Sequence, residues 1–524
     1  MKTLGDNEEL ASARYAVELA TIDCAELSLF IGEAQVATLP RGNFEFSVEW
    51  GKLIFAWWGE GVSQSWRVTA YEIDRGELRL RATRGMAREA AMLTLRDPAR
   101  RLKGRRETRE LEVMTLGERR KAYAKTLSLL ITNNFDGARV QRVTVGPARS
   151  RSGTGRYARL VLKSSGQAVL VIGVSEAESQ PRIDGVIAAG LVWLAAFNEK
   201  RDEEGRAKRL LFCLPKGRSQ TAMERLTLLD VSHLGARIEC FEVDECCEEM
   251  VSVRPVTQDE LLNSHPREVI WPGASTPNER WRERIINLAP GLIETRRDAR
   301  SGGERFEING LEFARLSAGG QAKFGVAGLR SDGESNLVVL SDSSFGELEC
   351  LAREIARYRS ADCLDHRHPF YLLRAEAWLE SLLRRDISRL DATFDERFIY
   401  AQIPAWRADE RSVVDLLTIN YEGRLVVIEI KAAEDPQLPL QGTDYWLRVE
   451  QGRLRNEFKK RGLFEDVVIA DQSPLLYLVA PRLRFHRTFT TVARCVSPRI
   501  EAYRIGVNEK WREGVKVHTR ERIN

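Results

Sequence analysis

Alternating apolar and polar residues dominate the first 95 positions of the chain. Period-two alternation or aromatic enrichment marks segments 44–50, 53–57, 66–73 and 77–82, and glycines or a turn separate them. This pattern predicts a β-rich module at 1–95. The segments also carry tryptophans that could stack on nucleic-acid bases, although such residues more often fill the core of a small barrel or sandwich. They are Trp50, Trp57, Trp58 and Trp66.

Two later regions show the same order of helical and strand-like patterns. The first predicts a helix at 118–133, strands at 139–145, 158–162 and 168–174, a helix at 183–198, a strand at 209–214, a helix at 220–234 and a strand at 236–243. The second predicts a helix at 370–391, strands at 397–403, 412–419 and 425–431, a helix at 439–461, a strand at 475–480, a helix at 485–496 and a strand at 499–505. Because the elements match one for one, a tandem copy of one α/β module is expected at 117–254 and 369–524.

The remaining segments complete a multidomain α/β and β protein. Residues 255–368 predict a small α+β connecting domain, with short strands near 305–308, 311–316, 322–326 and 336–340 and a helix at 345–358. Residues 96–116 form a basic linker, which either binds phosphates or is a solvated connection. Its basic residues are Arg96, Arg100, Arg101, Lys103, Arg105, Arg106 and Arg109.

Composition narrows the class of protein. The chain has 524 residues, of which 43% are hydrophobic and 30% charged, as in folded proteins. It has no run of the ~20 apolar residues needed to cross a bilayer, and its acidic start lacks the apolar core of a secretory signal. Eight cysteines in 524 residues do not make a disulfide framework. A cytoplasmic protein is expected. The net charge of +4 does not by itself indicate a nucleic-acid partner.

A predicted hairpin at 412–431 brings charged residues together. Its loop of three residues ends in Gly423, which pairs Asn420 with Arg424 and therefore places Asp415 opposite Glu429. Lys431 lies on the same face of the sheet, two residues beyond Glu429. Paired carboxylates repel each other unless a cation or a shared proton intervenes, and hard oxygen ligands suit Mg²⁺ or Mn²⁺.

A third acid comes from the preceding helix. On a helical wheel Glu376 falls within the apolar stripe, whereas Glu380 falls on the wetter side beside Arg384. A carboxylate on a buried face needs a cation or hydrogen-bond donors. Glu376 is therefore expected either to contribute to the metal site or to form a buried salt bridge with an arginine.

The helix after the hairpin carries a polar and basic stripe. This stripe either follows a phosphate backbone or is a solvated face. Its members at the proposed site are Gln441, Tyr445, Arg448, Arg455 and Lys459.

In order along the chain, these residues resemble the signature of the PD-(D/E)xK nuclease superfamily, especially its RecB-like branch. The matching elements are the helical Glu376, then Asp415, then Glu429-Ile-Lys431, then Gln441-Gly-Thr-Asp-Tyr445. Val414 stands where the family name has proline. The resemblance covers about residues 369–524 and implies a restriction-endonuclease-like fold.

The resemblance also implies roles for individual residues. Asp415 and Glu429 would hold Mg²⁺ (or Mn²⁺), with Glu376 and the carbonyl of Ile430 as further ligands. Lys431 would orient the attacking water or stabilise the transition state, while Gln441 and Tyr445 would position the strand. No iron–sulfur cluster is expected, because Cys363 before this region and Cys495 within it are too few cysteines to hold one.

The expected function is a metal-dependent nuclease that hydrolyses phosphodiester bonds, with DNA as the leading substrate and DNA repair, recombination or defence as its setting. Endonuclease and exonuclease action, and DNA and RNA, stay open. The alternative is a catalytically silent nucleic-acid-binding or scaffolding protein. Without a Gly-x-x-x-x-Gly-Lys-Ser/Thr motif, any motor would be a separate partner.

The first α/β module is expected to lack catalytic residues. Setting Gly166 against Gly423 aligns Ala158, Ile172 and Val174 with the three catalytic positions, and none can bind Mg²⁺. The module would either bind phosphates or act as a structural spacer. Its candidate arginines for phosphates are Arg149, Arg151, Arg156 and Arg159.

Overall fold

The computed structural model describes residues 2–3, 10, 13–14, 17, 21, 26–32, 34–40, 43–49, 52–59, 62–74, 77–84, 89–96, 116–135, 137–145, 157–264, 279–297, 302–326, 337–404 and 413–524. The chain divides into two compact units. The first contains residues 1–122 and 326–336, and the second contains 123–325 and 337–524.

The first unit contains an eight-stranded antiparallel sheet. Its strands are β1 (Lys2–Thr3), β2 (Glu26–Ile31), β3 (Ala34–Pro40), β4 (Phe44–Glu49), β5 (Lys52–Gly59), β6 (Val62–Asp74), β7 (Glu77–Arg84) and β8 (Glu89–Arg96). They are ordered β3-β2-β8-β7-β6-β5-β4, and β1 pairs with β6.

Two of the four tryptophans of this sheet can be placed. Trp57 and Trp66 are buried in its apolar core with Phe55 and Leu80, so their rings are not available to stack on bases. Trp50, the side chain of Trp58 and residues 97–115 of the basic linker lie outside the described residues.

The second unit begins within helix α1 and contains a first six-stranded sheet. Its elements are α1 (Leu116–Asn134), β9 (Arg139–Thr144), β10 (Ala158–Ser164), β11 (Gln167–Gly173), α2 (Gln180–Asp184), α3 (Val186–Asn198), β12 (Ala207–Pro215), α4 (Gln220–Thr227), β13 (Arg237–Asp244), β14 (Glu249–Val253) and α5 (Gln258–Asn263). We call the sheet β14-β13-β12-β11-β10-β9 the first α/β sheet.

A five-stranded meander follows. Its elements are α6 (Glu279–Ile286), β15 (Ile293–Arg297), β16 (Glu304–Ile308), β17 (Leu311–Leu316), β18 (Ala322–Phe324), β19 (Val338–Val339) and α7 (Phe345–Tyr358). The four strands and the helix predicted here are present, whereas α5, α6 and β15 were not predicted.

The C-terminal part of the second unit forms a second six-stranded sheet. Its elements are α8 (Pro369–Leu372), α9 (Ala375–Arg385), β20 (Phe394–Pro404), β21 (Val413–Asn420), β22 (Leu425–Ile430), α10 (Leu438–Leu454), α11 (Glu457–Lys460), β23 (Leu475–Pro481), α12 (Phe489–Ala493), β24 (Ala502–Val507) and β25 (Val517–Arg522). The helix predicted at 370–391 is interrupted, because Arg374 has a left-handed backbone with φ 45°.

The two α/β sheets have the same topology. In chain order, neighbouring strands pair antiparallel, antiparallel, parallel, parallel and antiparallel in each sheet. The expected mixture of α/β and β structure is therefore present. The individual domain boundaries within the second unit stay a prediction.

Equivalent helices of the two α/β sheets pack against each other. We call α1–α5 with the first α/β sheet the first half of the second unit, and α8–α12 with the second six-stranded sheet the second half. α10 contacts α4, and α12 contacts α3, so the same pair of helices of each half contacts the other half. Leu229, just after α4, forms an antiparallel bridge with Val496, just after α12. Because these positions are equivalent, the contacts have the pattern of a two-fold dimer built within one chain.

Candidate active site

The hairpin of β21 and β22 has the register predicted from its loop. Leu416 pairs with Ile428, so the next positions outward are Asp415 and Glu429. The Asp415 Oδ2 atom accepts a hydrogen bond from the backbone N–H of Ile430 at 2.8 Å. In an extended strand the N–H and C=O of one residue point the same way. The carbonyl of Ile430 therefore also faces the Asp415 side.

Lys431 binds one of the two carboxylates directly. Its Nζ atom lies 2.7 Å from Glu429 Oε1. Glu429 is 1% exposed, and its other oxygen, Oε2, is buried and accepts from no N–H or hydroxyl donor of the described residues. The carboxyl group of Asp415 lies within hydrogen-bonding reach of Glu429, so the pair needs a shared proton or a cation. A buried oxygen of this kind is costly unless something binds it.

Burial and mutual repulsion shift the ionisation of this cluster. Burial raises the pKa of Glu429 well above its usual range, and the neighbouring Asp415 raises it further. Burial also raises the pKa of Asp415, against the attraction of Lys431. Although burial lowers the pKa of Lys431, the carboxylates of Glu429 and Glu376 outweigh burial and leave it above its usual range. With Lys431 as the cation beside them, burial and mutual repulsion therefore favour a proton on this carboxylate pair, and a further cation would favour its ionised form.

Helix α9 brings Glu376 to the same place. Although Glu376 as a whole residue is exposed, partial desolvation of its carboxyl group raises its pKa, Lys431 lowers the pKa and Asp415 raises it, so the three side chains lie close enough to interact. The fully buried Arg359 holds the start of the helix by donating to the carbonyls of Phe370 at 2.8 Å and Leu373 at 2.6 Å. Glu376 thus belongs to the cluster, as predicted from its order in the sequence.

The prediction of which helical acid is buried is wrong. Glu376 is exposed, whereas Glu380 is 3% exposed and pairs with Arg296 of β15 at 2.6 Å. The physical reason is that the five-stranded meander covers this face of α9. The β16–β17 turn packs so closely on the helix that a Cβ on Gly310 would lie 2.1 Å from the carbonyl oxygen of Ala377. The salt bridge with an arginine considered for Glu376 is made by Glu380.

The stripe on α10 is largely covered by the first half of the second unit. Arg448 is 6% exposed and pairs with Glu224 of α4 at 2.5 Å. Arg455 donates to the carbonyl of Ser264. The guanidinium of Arg448 therefore faces a protein carboxylate and is not open to a phosphate.

The other members of the stripe have different surroundings. Tyr445 is half-buried against the core of the second α/β sheet, and Lys459 is exposed. The Gln441 side chain is partly exposed, and its buried Oε1 has no hydrogen-bond partner among the described residues. Gln441, Tyr445 and Lys459 thus stay candidates for strand contact.

A basic loop beside the site was not predicted. β22 and β23 are parallel neighbours, with Ile430 paired to Val479, so the residues after β23 lie at the same edge of the sheet as Lys431. These residues read Arg-Leu-Arg-Phe-His-Arg at 482–487. We call 482–487 the basic loop. A charge run directly after a buried strand is the signal that would have found it.

The arginines of the basic loop are available to a ligand. Arg482, Arg484 and Arg487 are exposed and form no ion pair with a described residue. His486 of the same loop lies near Glu434 and Asp435, which follow Lys431. The basic loop therefore borders the acid cluster.

Within the residues that the structure describes, the first α/β sheet has no carboxylate pair at the equivalent hairpin position. Its hairpin closes with a turn of two residues, so Ala158 pairs with Gly173. The alignment from the sequence set Ile172 at the position of Glu429, which the strand register confirms, but set Ala158 opposite it. In the structure Arg159 pairs with Ile172 and takes the position of Asp415. Neither register places a carboxylate there. A Cβ on Gly173 would lie 2.5 Å from the Oη of Tyr123 and 2.6 Å from the Cδ2 of Leu127, so side chains of α1 fill this space.

The arginines proposed to grip phosphates in the first half are mostly outside the described residues. This holds for Arg149, Arg151 and Arg156. The guanidinium of Arg159 lies over the ring of Trp193, 5.8 Å from its centroid.

Comparisons with known proteins give little guidance. No family model and no curated protein matches the chain. A solved structure titled "Structure of EndoMS-dsDNA2 complex" is 14% identical, covers 46% of this chain and 95% of that chain, and has a TM-score of 0.17. A likeness at this level carries no argument about function.

The described residues contain no group of three or more His, Cys, Asp or Glu side chains arranged to hold a metal ion. Within the same ranges, none of the helices has the length and apolar character that crossing a membrane requires.

Proposed function

We propose that the chain is a metal-dependent nuclease that hydrolyses phosphodiester bonds, with DNA as its substrate. The observation that carries the proposal is the cluster at the end of the β21–β22 hairpin. Asp415 and Glu429 stand opposite each other, Lys431 binds Glu429, and Glu376 approaches from α9. Two carboxylates that repel each other destabilise a fold, so their presence at this position favours a functional role for them.

The residues present fit a divalent cation. The buried Oε2 of Glu429 accepts from no N–H or hydroxyl donor among the described residues, and the Asp415 carboxyl group lies within hydrogen-bonding reach of Glu429, so a cation between the two would relieve their repulsion. Asp415, Glu429 and the carbonyl of Ile430 would hold Mg²⁺ or Mn²⁺, with Glu376 at the exposed side. These two carboxylates and one carbonyl leave the remaining positions to water and substrate, as Mg²⁺ prefers. When bound, the metal would lower the pKa of a water molecule and offset charge on the phosphate.

The side chains have separate roles in the proposed reaction. Lys431, held by Glu429, would donate a hydrogen bond to the attacking water or to a phosphate oxygen, where negative charge develops. Glu376 would accept a proton from, or orient, a water at the open side of the cluster. Gln441 and Tyr445 would position the strand.

Exposed cations next to the cluster would bind the sugar–phosphate backbone. Arg482, Arg484 and Arg487 of the basic loop lie at the same edge of the sheet as Lys431 and form no ion pair with a described residue. Arginine suits phosphate because its planar group donates two parallel hydrogen bonds. In this proposal the basic loop takes the place of the covered arginines on α10.

A cleavage assay tests the proposal. End-labelled single-stranded DNA, duplex DNA and RNA are incubated with the full chain in Mg²⁺ or in EDTA. We expect cleavage in Mg²⁺ only, and a loss of at least about 100-fold in Asp415→Asn, since the metal site carries the chemistry. Asp386→Asn is the matched control, because Asp386 pairs with Arg389 on the surface.

Two results would contradict the proposal. One is that Asp415→Asn cleaves as fast as the unmodified chain. The other is binding without cleavage of any substrate, which would favour the alternative of a catalytically silent nucleic-acid-binding protein.

A further inference from the structure

We infer that the chain cuts a single strand of duplex DNA in each binding event and so acts as a nicking enzyme. The inference rests on the proposed function and adds the form of the substrate and of the product. It is carried by a contrast within the second unit: two sheets of one topology pack like the halves of a dimer, but among the described residues only the second has the acid cluster.

The two-fold pattern is built from several independent contacts. α10 packs on α4 in the same way that α12 packs on α3. Backbone hydrogen bonds flank the bridge of Leu229 and Val496 on both sides, from Asp230 N to Cys495 O at 2.7 Å and from Ser497 N to Leu228 O at 3.0 Å. Such reciprocal bonds are the mark of an isologous contact.

The halves are also joined by their cores. Leu440, Val492 and Cys495 of the second half lie within the apolar core of the first, and Leu228 of the first half lies within the core of the second. The two halves therefore form a fixed pair.

The symmetry of the substrate explains why one site gives one cut. The strands of a duplex are related by two-fold axes, so a symmetric protein pair with two sites can cut both strands. Among the described residues of the first half, Arg159 and Ile172 pair at the hairpin position of Asp415 and Glu429, and Tyr123 packs against the neighbouring Gly173. The Tyr123 Oη donates to the carbonyl of Cys213 at 3.3 Å, which holds the ring in place. The second strand would meet no catalytic group.

The reaction balances with water alone. The oxygen of one water molecule forms a bond to phosphorus, and the bond from phosphorus to the leaving sugar oxygen breaks. The leaving oxygen takes up a proton, and the proton lost by the water goes to solvent. The product is a duplex with a nick in one strand, which has a phosphate on one side of the nick and a hydroxyl on the other.

Supercoiled plasmid separates nicking from double-strand cutting. With the full chain in Mg²⁺, we expect open circles to accumulate until nearly all the supercoiled form is gone, and linear DNA to follow only after many independent nicks. The rate should rise in proportion to the chain concentration. Linear DNA that appears from the first time points, without open circles before it, would overturn the inference.

A mixing experiment tests whether two chains together provide two sites. If they did, an excess of Asp415→Asn would convert linear product into open circles. We expect the mutant to slow nicking without changing the ratio of the products. A plasmid left intact while single-stranded oligonucleotides are cut would also overturn the inference, since duplex DNA would not be the substrate. The proposed function itself would be rejected by different results, namely no cleavage of any substrate or undiminished cleavage by Asp415→Asn.

Discussion

At the scale of single residues, two glutamates one helical turn apart have opposite surroundings. Glu380 is buried against Arg296 and Glu376 is exposed beside Lys431. Burial raises the pKa of Glu380 to about 7, although the attraction of Arg296 opposes the rise. Folding therefore shifts Glu380 towards its protonated form, whereas Glu376 is exposed beside the acid cluster.

We expect Glu380→Gln to change how stability depends on pH. The pKa of Glu380 is raised in the folded state, so ionisation of Glu380 lowers the free energy of unfolding. This loss of stability is absent below about pH 4.5, grows as the pH rises towards 7, and is constant at higher pH. The rise from 4.5 to about 7 corresponds to about 3 kcal/mol. Denaturant unfolding in EDTA should show equal stability of variant and unmodified chain near pH 4.5 and a more stable variant at pH 8. Equal stability at pH 8 would contradict this.

We expect Glu376→Gln to reduce cleavage about 10- to 100-fold, the usual cost of losing a group that supports a metal site. Its melting temperature should stay within a degree or two of the unmodified chain, because Glu376 is exposed. Glu380→Gln is the control and should cleave within a few-fold of the unmodified chain. Equal losses of activity in the two variants would show that α9 matters only as a structural element.

At the scale of elements, the hairpin could be predicted in detail and the helices could not. The register of β21 and β22 follows from a loop of three residues, so Asp415 and Glu429 could be paired from the sequence. A helical wheel shows which face of α9 or α10 is apolar, but not whether a second layer covers the polar face. The layers that bury Glu380 and Arg448 come from residues more than 80 positions away along the chain. For this reason the helical wheels wrongly predicted that Glu380 on α9 and Arg448 on α10 lie on open faces.

We expect the basic loop, and not α10, to determine how binding depends on salt. Replacing Arg482, Arg484 and Arg487 with glutamine should weaken DNA binding and lower the slope of log affinity against log salt by about 2 to 3, since each lost contact releases about 0.9 fewer counterions on duplex DNA. Titrations from low to moderate salt, with the inactive Asp415→Asn background, measure the slope.

Two controls separate the loop from general charge effects. Replacing the exposed Lys200, Arg201 and Arg206 with glutamine makes the same change in net charge and should leave the slope unchanged. Arg448→Met should instead destabilise the fold by about 3–5 kcal/mol, because it leaves Glu224 buried without its guanidinium. A basic-loop variant with an unaltered slope would remove the loop from the proposed DNA contact.

At the scale of the whole second unit, a buried ion pair links the two α/β halves. Arg225 of α4 donates from Nη2 to the Asp444 Oδ2 atom of α10 at 2.8 Å, and its Nη1 contacts the carbonyl of Asp184 and the side chain of Gln437. Both members of the pair are buried. The guanidinium therefore joins the start of α10, which follows Lys431, to the first half, and the position of the β21–β22 hairpin depends on its contact with that half.

We expect Arg225→Met to lower stability by about 3–5 kcal/mol, because Asp444 would stay buried without that guanidinium. Native-state hydrogen exchange should show faster exchange in α3 and α4 and, equally, in α10 and α12, since the two halves share apolar cores. The double variant Arg225→Met/Asp444→Leu should recover much of the loss, because an apolar pair of similar volume needs no charge partner. If exchange rises only in the first half while α10 and α12 keep their protection, the halves fold independently, and the fixed pair on which single-strand cutting depends does not exist.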